Sequence, residues 1–146
     1  MPCRQTIISP SGKNRRASVS VTHSGGCHCG KVRFTAKGDA VIKADRCNCS
    51  ICYQSGFLHM LIAKDDFTLL QGEEALETYT FGSGIAQHYF CGTCGVKSFY
   101  IPRSHPHGVS VNVTCIDPET IEAVEETPFD GRNWEKNVHK LSPISD

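Results

Sequence analysis

The stretch Cys47-Asn48-Cys49-Ser50-Ile51-Cys52 decides how this chain is interpreted, because it places three cysteines within six residues. Two cysteine pairs lie far from it in the sequence, Cys27/Cys29 on one side and Cys91/Cys94 on the other. Seven of the nine cysteines of the 146-residue chain therefore fall in three tight clusters. Such clusters are typical of metal sites, in which two distant loops each contribute a short pair of ligands.

The two outer pairs together supply the four ligands that a closed, structural zinc site requires. The second pair lies in Phe90-Cys91-Gly92-Thr93-Cys94-Gly95, a glycine-flanked turn typical of a metal knuckle. Disulfides are disfavoured, because cysteines one residue apart on an extended strand point to opposite sides. An iron–sulfur cluster also takes four cysteines, and the spacing leaves that alternative open.

The middle cluster offers three thiolates from Cys47, Cys49 and Cys52. A zinc ion with three protein ligands keeps one position for water or substrate, which is the arrangement of catalytic zinc. The pattern therefore predicts a second zinc ion per chain, held in an open site. Cys115 is the alternative fourth ligand, although its apolar surroundings in Val111–Ile116 favour a buried free thiol.

Length and charge restrict the class of protein. The formal net charge is zero, which argues against broad binding to nucleic acid or to a membrane surface. No apolar run approaches the roughly 18 residues of a membrane span, and Met1–Ala17 lacks the apolar region of a secretory signal. Clustered thiols predict a reducing, cytoplasmic location. We expect a flexible tail over residues 1–16, which includes Cys3, and one domain over residues 17–146.

Alternating apolar residues and glycine punctuation predict a mostly β domain with little helix. Strands are predicted over residues 18–22, 32–36, 41–45, 57–63, 67–70, 76–81, 85–90, 96–101 and 109–113. A hairpin turn is expected at Gly82-Ser83-Gly84. One helical turn is expected over Ser50–Ser55, ending near Gly56, and a short helix over Trp134–Val138. The acidic segment Glu119–Glu126 is predicted to be a solvated face or loop.

Several motifs occur together in a specific order. The first motif is Gly25-Gly26-Cys27-His28-Cys29-Gly30-Lys31-Val32-Arg33-Phe34. The cysteine triplet comes next, followed by Phe81-Gly82-Ser83-Gly84 and by His88-Tyr89-Phe90, which directly precedes the second cysteine pair. Tyr100-Ile101-Pro102-Arg103-Ser104 and Phe129-Asp130-Gly131 follow. From about Ser24 to Trp134 this resembles the glutathione-dependent formaldehyde-activating family, which includes a branch similar to centromere protein V.

The resemblance implies a β-tent fold, similar to that of methionine-R-sulfoxide reductases, with short strands around zinc knuckles. It implies a structural zinc ion on Cys27, Cys29, Cys91 and Cys94, and a catalytic zinc ion on Cys47, Cys49 and Cys52. The implied activity joins a thiol such as glutathione to a small aldehyde, formally a carbon–sulfur lyase reaction in reverse. The implied partners are therefore small molecules.

Glutathione carries two carboxylates, so its pocket should present cations. Arg103, in a loop braced by prolines, is the predicted substrate contact. Lys97 is a second candidate, for which we expect a solvated surface charge. We expect His88 to be packed or solvent-facing, and Trp134 to cover the core.

A non-catalytic alternative stays open at this stage. The same zinc-stabilised scaffold can serve as a binding module for a partner, because one fold supports several functions. A second site closed by Cys115 or a histidine would favour that alternative.

Overall fold

The computed structural model describes residues 19–141. The predicted tail over residues 1–16, with Cys3, lies outside that range. The described chain is mostly β, as predicted, with ten strands and two short helices. The β-tent architecture itself stays a prediction.

Three strands form a small antiparallel sheet. They are β1 (Ser20–Gly26), β2 (Arg33–Asp39) and β5 (Phe67–Gln71), in the order β1-β2-β5. The predicted alternation places Phe34 and Ala36 of β2 in the core, where both are fully buried. Arg33 projects elsewhere and forms a bidentate ion pair with Asp117.

The other seven strands form one larger sheet. They are β3 (Val41–Cys47), β4 (Leu58–Ala63), β6 (Leu76–Tyr79), β7 (Gln87–Cys91), β8 (Phe99–Ile101), β9 (Gly108–Asn112) and β10 (Ala123–Phe129). Their order is β10-β3-β4-β9-β8-β7-β6, and every pair is antiparallel except β10 with β3. The predicted hairpin around Gly82-Ser83-Gly84 is confirmed, since it joins β6 to β7.

The core lies between the small sheet and one face of the large sheet. Phe67 of β5 joins the two layers, with its ring centroid 5.3 Å from that of Phe34 and 4.7 Å from that of Phe99 on β8. Val109 and Val111 of the central strand β9 fill the same layer and are buried. Because side chains alternate along a strand, the other face of the large sheet is free for polar residues.

Two short helices lie outside the sheets. Helix α1 (Ser50–Ser55) follows the cysteine-rich stretch and ends at Gly56, which takes the left-handed conformation with φ 65° that closes a helix. Helix α2 (Trp134–Asn137) follows β10. Both helices were predicted, and both positions are confirmed.

Two local features differ from the prediction. The acidic segment Glu119–Glu126 is not a loop throughout, because its second half begins β10, which pairs along its whole length with β3. Glutamates on an edge strand point to solvent without preventing the backbone from pairing, so their charge masked the strand. The strand predicted over residues 109–113 ends at Asn112, and the chain continues as a 3₁₀ turn, Val113–Cys115.

Candidate metal centre and cleft

The three cysteines of the middle cluster converge where β3 meets α1. Cys47 is the last residue of β3, Cys49 immediately precedes α1, and Cys52 lies within the helix. The amide of Tyr53 donates to the carbonyl of Cys49 at 2.9 Å, which closes the first helical turn. This turn brings the three sulfurs within 4.8 Å of one another, close enough to hold a metal ion.

The ionisation of each of these three thiols depends on the other two. Hydrogen bonds from Cys47 and Cys52 lower the pKa of the Cys49 thiol to about 2, so one thiolate is already present at neutral pH. The same contacts raise the pKa of Cys52, because a second negative charge so close is unfavourable. A bound dication removes this conflict by stabilising all three thiolates, so the donor set fits zinc.

The segment after β10 forms one wall of this centre. The parallel register places Phe129 beside Cys47, and the Asn48 amide donates to the Phe129 carbonyl at 3.2 Å. The Asn48 side chain donates to Asp130 at 3.0 Å and accepts from the Arg132 amide at 3.1 Å. Sequence reasoning missed this wall because β10 was not predicted.

Gly131 is the closest point of that wall to the sulfurs. A Cβ atom at this position would overlap the Cys47 sulfur and lie 3.1 Å from the Cβ of Cys49. Only glycine therefore lets the backbone pass so close to the cluster.

A cleft of about 440 Å³ opens beside the cluster, and all three cysteines line it. Its floor is the polar face of the large sheet. This face alternates with the core face, so that Ser110 lies between Val109 and Val111. Cross-strand neighbours Ser110, Tyr100 and His88 form a row along the floor, on β9, β8 and β7.

His59, on β4, contacts the cluster directly. Its Nε2 lies 3.1 Å from the Cys52 sulfur, and its Nδ1 lies 3.0 Å from the Ser110 hydroxyl and 3.4 Å from that of Tyr100. Burial, with a contribution from the charge of Lys97, lowers the pKa of His59 to about 4, so the ring is neutral at pH 7. When Cys52 is a thiolate it can only accept, so Nε2 carries the proton and Nδ1 accepts from the hydroxyls. His59 therefore orients the Cys52 sulfur.

Lys97 is not the solvated surface charge that we expected. Its ammonium lies 4.2 Å from the ring centroid of Tyr100 and 4.9 Å from that of Phe57, and 2.6 Å from Nδ1 of His88. Burial lowers the pKa of Lys97 to about 8, against the opposing effect of the Cys52 and Cys49 charges. The side-chain amide of Asn112 fixes the Lys97 backbone by donating to its carbonyl at 3.0 Å. The contact of Lys97 with His88 and the two aromatic rings could not be predicted from sequence, because these residues come from separate segments of the chain.

Two arginines line the cleft. The guanidinium carbon of Arg103 lies 3.5 Å from the ring centroid of Trp134, which also lines the cleft. Arg132 donates from Nε to the Asn48 carbonyl at 2.9 Å and lies 5.7 Å from the Tyr53 ring centroid. Arg103 was predicted from its loop, whereas Arg132 was missed. Trp134 lines the cleft, whereas we expected it to cover the core.

The four outer cysteines form a second group, with ligand atoms again within 4.8 Å of one another. The sulfur of Cys29 lies 3.6 Å from those of Cys27 and Cys91. Four sulfurs bound tetrahedrally to zinc lie about 3.8 Å apart, so the spacing fits this metal. Amides also approach the sulfurs, from Val32 to Cys27 at 3.3 Å and from Thr93 to Cys91 at 3.4 Å.

Cys115 belongs to neither group within residues 19–141. Its thiol lies 3.9 Å from the carbonyl oxygen of Lys97, and burial raises its pKa to about 11. It is a half-buried neutral thiol and does not join the sulfurs of the middle cluster. His28 is exposed at the surface and joins neither group.

Comparison with known proteins agrees with this geometry. The family model described as glutathione-dependent formaldehyde-activating enzyme matches residues 22–129, which include both cysteine groups. The chain belongs to this family. A crystal structure of a Rhodobacter sphaeroides protein shares 33% sequence identity with it, with a TM-score of 0.61, and the match covers 71% of this chain and 99% of that one.

Membership of the glutathione-dependent formaldehyde-activating family confirms the predicted resemblance. The family's description gives glutathione and formaldehyde as the chemistry of the group, and two cysteine groups suitable for metal accompany it here. Neither of the helices within residues 19–141 combines the length and apolarity that a membrane span needs.

Proposed function

We propose that this protein is a zinc-dependent carbon–sulfur lyase of its family, which joins a thiol such as glutathione to a small aldehyde. The observation that carries the proposal is the position of the middle cluster. Cys47, Cys49 and Cys52 form a group of three donors in the described chain and line a cleft of about 440 Å³, which leaves room for a ligand sulfur. The outer four cysteines serve as the structural site in this proposal.

The three thiolates are the ligands of the proposed zinc ion, which supplies Lewis acidity that keeps a thiol deprotonated near neutral pH. Gly131 keeps the wall clear of the sulfurs, and His59 holds Cys52 by its Nε2 hydrogen bond. The cleft brings the aldehyde next to the sulfur, so proximity supplies much of the rate gain.

In the reaction, an electron pair of the thiolate sulfur forms a bond to the carbonyl carbon of the aldehyde. The π pair of the C=O bond moves to the oxygen, which takes up a proton from solvent to give a hemithioacetal; this proton balances the one that the thiol released to solvent on ionising. No oxidant or reductant is needed. In the lyase direction the same carbon–sulfur bond breaks, and the hydroxyl proton returns to solvent.

Arg103 and Arg132 are the proposed contacts for the carboxylates of the thiol. Both side chains line the cleft, and both are held by neighbouring aromatic rings. The planar guanidinium matches a carboxylate in two parallel hydrogen bonds, which an ammonium cannot do. Their charge also offsets that of the thiolates when an anionic substrate approaches.

The test uses cobalt in place of zinc, because thiolate binding to cobalt gives a charge-transfer absorption. Glutathione should increase this absorption in the unsubstituted protein and in Cys115→Ser, which keeps both groups. It should have no effect in Cys49→Ser. The unsubstituted protein and Cys115→Ser should also form the formaldehyde adduct of glutathione, and Cys49→Ser should not. If glutathione leaves the cobalt spectrum unchanged in the fully loaded protein, the proposed function is wrong and the binding-module alternative gains support.

A further inference from the structure

His88 lies in the floor of the cleft between two aromatic rings. Its ring is stacked on Tyr100 at a centroid distance of 5.0 Å and an angle of 7°, and Phe81 covers its other face at 5.4 Å and 22°. The side chain is only 4% exposed, yet it lines the cleft. Both faces of the ring are therefore occupied, and only its edges can hydrogen-bond.

Lys97 determines which edge carries the proton. Its ammonium lies 2.6 Å from Nδ1 of His88 and can only donate, so Nδ1 accepts and the ring proton is on Nε2. Burial and the Lys97 charge also lower the pKa of His88 to about 4, which keeps the ring neutral at pH 7. Nε2–H is thus a hydrogen-bond donor with a fixed direction.

This donor has no partner in the protein. Within residues 19–141, Nε2 of His88 is the one buried side-chain nitrogen or oxygen atom that lacks a hydrogen bond. Buried polar groups are nearly always paired, because leaving one unpaired costs the full free energy of its desolvation. An unpaired donor held in place by a buried cation indicates that a ligand supplies the acceptor.

His88 is linked to the Cys52 sulfur through two other rings. Its centroid lies 5.0 Å from that of Tyr100, which lies 5.5 Å from that of His59, and His59 Nε2 lies 3.1 Å from the sulfur. A one-carbon aldehyde bonded to the ligand sulfur does not extend past two rings. A peptide-like thiol does, and it carries carbonyl and carboxylate oxygens at that range.

We propose that Nε2–H of His88 donates a hydrogen bond to a carbonyl or carboxylate oxygen of the thiol substrate, and so selects an extended, peptide-like thiol over a small one. Lys97 acts as the positioning residue that fixes the proton. This inference rests on the proposed function.

The turn between β6 and β7 lies beside His88, since Phe81 stacks on its ring. Phe81, Gly82, Ser83 and Ala86 all line the cleft. The hydrogen bonds of the turn join its own residues, such as the Gly84 amide to the Phe81 carbonyl at 3.0 Å and the Gln87 side chain to the Gly84 carbonyl at 3.0 Å.

The kinetic test compares two thiols, glutathione and 2-mercaptoethanol, with formaldehyde as the common second substrate. His88→Phe keeps the stacked ring and removes the donor, and His88→Gln restores an N–H group. We expect His88→Phe to raise the ratio of KM for glutathione to KM for 2-mercaptoethanol by about ten-fold, the effect of one hydrogen bond. His88→Gln should recover part of this ratio. An equal change in both KM values would overturn the proposal, because it indicates a structural role.

The spectroscopic test follows the ring nitrogens of His88 by long-range ¹⁵N–¹H correlation. The zinc-loaded protein should show a protonated Nε2 and a bare Nδ1, and glutathione should shift Nε2 more than 2-mercaptoethanol does. Lys97→Met should mix the two tautomers. A proton on Nδ1 in the unsubstituted protein contradicts the proposal.

Two further comparisons complete the design. With the glycine ethyl ester of glutathione, loss of the His88→Phe effect assigns the glycine carboxylate as acceptor, and its retention assigns another oxygen; both support the donor role. If the unsubstituted protein acts on neither thiol and glutathione leaves Nε2 unshifted, the proposed function and this inference both fail. Activity on both thiols with an unchanged KM ratio in His88→Phe overturns the inference alone.

Discussion

At the scale of single residues, the close approach of Gly131 to Cys47 shows how tightly the middle cluster is enclosed. Because a Cβ at 131 would overlap the Cys47 sulfur, Gly131→Ala should displace either the wall or the sulfur. We expect the metal content to fall from two ions towards one per chain, with the fold retained. Metal analysis and circular dichroism measure the two quantities.

Gly38→Ala is the matched control for this prediction. A Cβ at position 38 meets its nearest neighbour, the Met60 sulfur, at 3.4 Å, an ordinary contact, and β2 lies away from the cluster. This variant should keep both metal ions. If Gly131→Ala keeps both as well, the overlap is relieved elsewhere and Gly131 has no special role.

A second prediction at this scale concerns acid stability. Burial, then the Lys97 charge, lowers the pKa of His88 from 6.5 to about 4, so between these values the unfolded chain binds a proton that the folded chain does not. His88 therefore makes the free energy of unfolding fall as the pH falls through this window, by up to about 1.4 kcal/mol per pH unit. His88→Phe should show a flatter dependence.

Urea unfolding of both proteins at pH 4.5, 5.5 and 6.5 measures how the free energy of unfolding depends on pH in each. These values span the window from about 4 to 6.5. Protonation of the cysteine ligands affects both proteins equally and cancels in the comparison. Parallel curves for the two proteins would contradict the predicted pKa shift.

At the scale of elements, β10 determines whether the middle cluster is enclosed. It pairs in parallel with β3 over seven residues, from Ala123 with Val41 to Phe129 with Cys47. The ion pair of Arg46 with Glu126, at 3.1 Å, reinforces this edge. The strand therefore delivers Gly131 and Arg132 to the cleft, although it contributes no sulfur itself.

Val124→Ala tests this role of β10. Val124 is 1% exposed and packs in the core, so removing two methyl groups should destabilise the fold by about 1–3 kcal/mol. Relative to the unsubstituted protein, the metal at the middle cluster should become easier to remove by a chelator than the metal at the outer four cysteines, because β10 pairs with β3 up to Cys47. Thr127→Ala, at an exposed position of the same strand, is the control. Equal loss of both metals would contradict the role.

The strands and turns of the large sheet were mostly predictable from sequence, because alternation and glycine turns are local signals. Phe57–Ala63 and the hairpin at Gly82-Ser83-Gly84 are examples. The edge strand β10 was not predictable, because its glutamates interrupt the alternation of apolar and polar residues that indicates a strand. The grouping of the cysteines was predictable as well, because metal ligands come in short pairs, and both groups converge as predicted.

At the scale of the whole molecule, the cleft could not be predicted because its residues come from strands that are distant in sequence. His59, Ser110, Tyr100 and His88 lie on four different strands and meet only after the sheet has formed. Their residue types carry no pattern in the sequence. Lys97 is the clearest case, since its charge indicates solvent until the rings of Tyr100 and Phe57 surround it.

The two cysteine groups also differ in what they connect. Cys27 and Cys29 follow β1 of the small sheet, whereas Cys91 ends β7 of the large sheet and Cys94 follows it. A metal ion on the outer four cysteines therefore crosslinks the two sheets across the core. The middle cluster joins only β3 to α1, which are adjacent in sequence.

This difference predicts opposite outcomes for two cysteine substitutions. Zinc binds small structural sites with about 10–16 kcal/mol, as much as the whole stability of many domains, so Cys91→Ser should leave the chain unfolded or insoluble. Cys49→Ser should lose the metal ion of the middle cluster and remain folded, because the crosslink between the two sheets at the outer four cysteines stays intact. Cys115→Ser, outside both groups, should keep both ions. Circular dichroism with metal analysis separates the three variants, and matching spectra for Cys91→Ser and Cys49→Ser would refute the division between a structural and an open site.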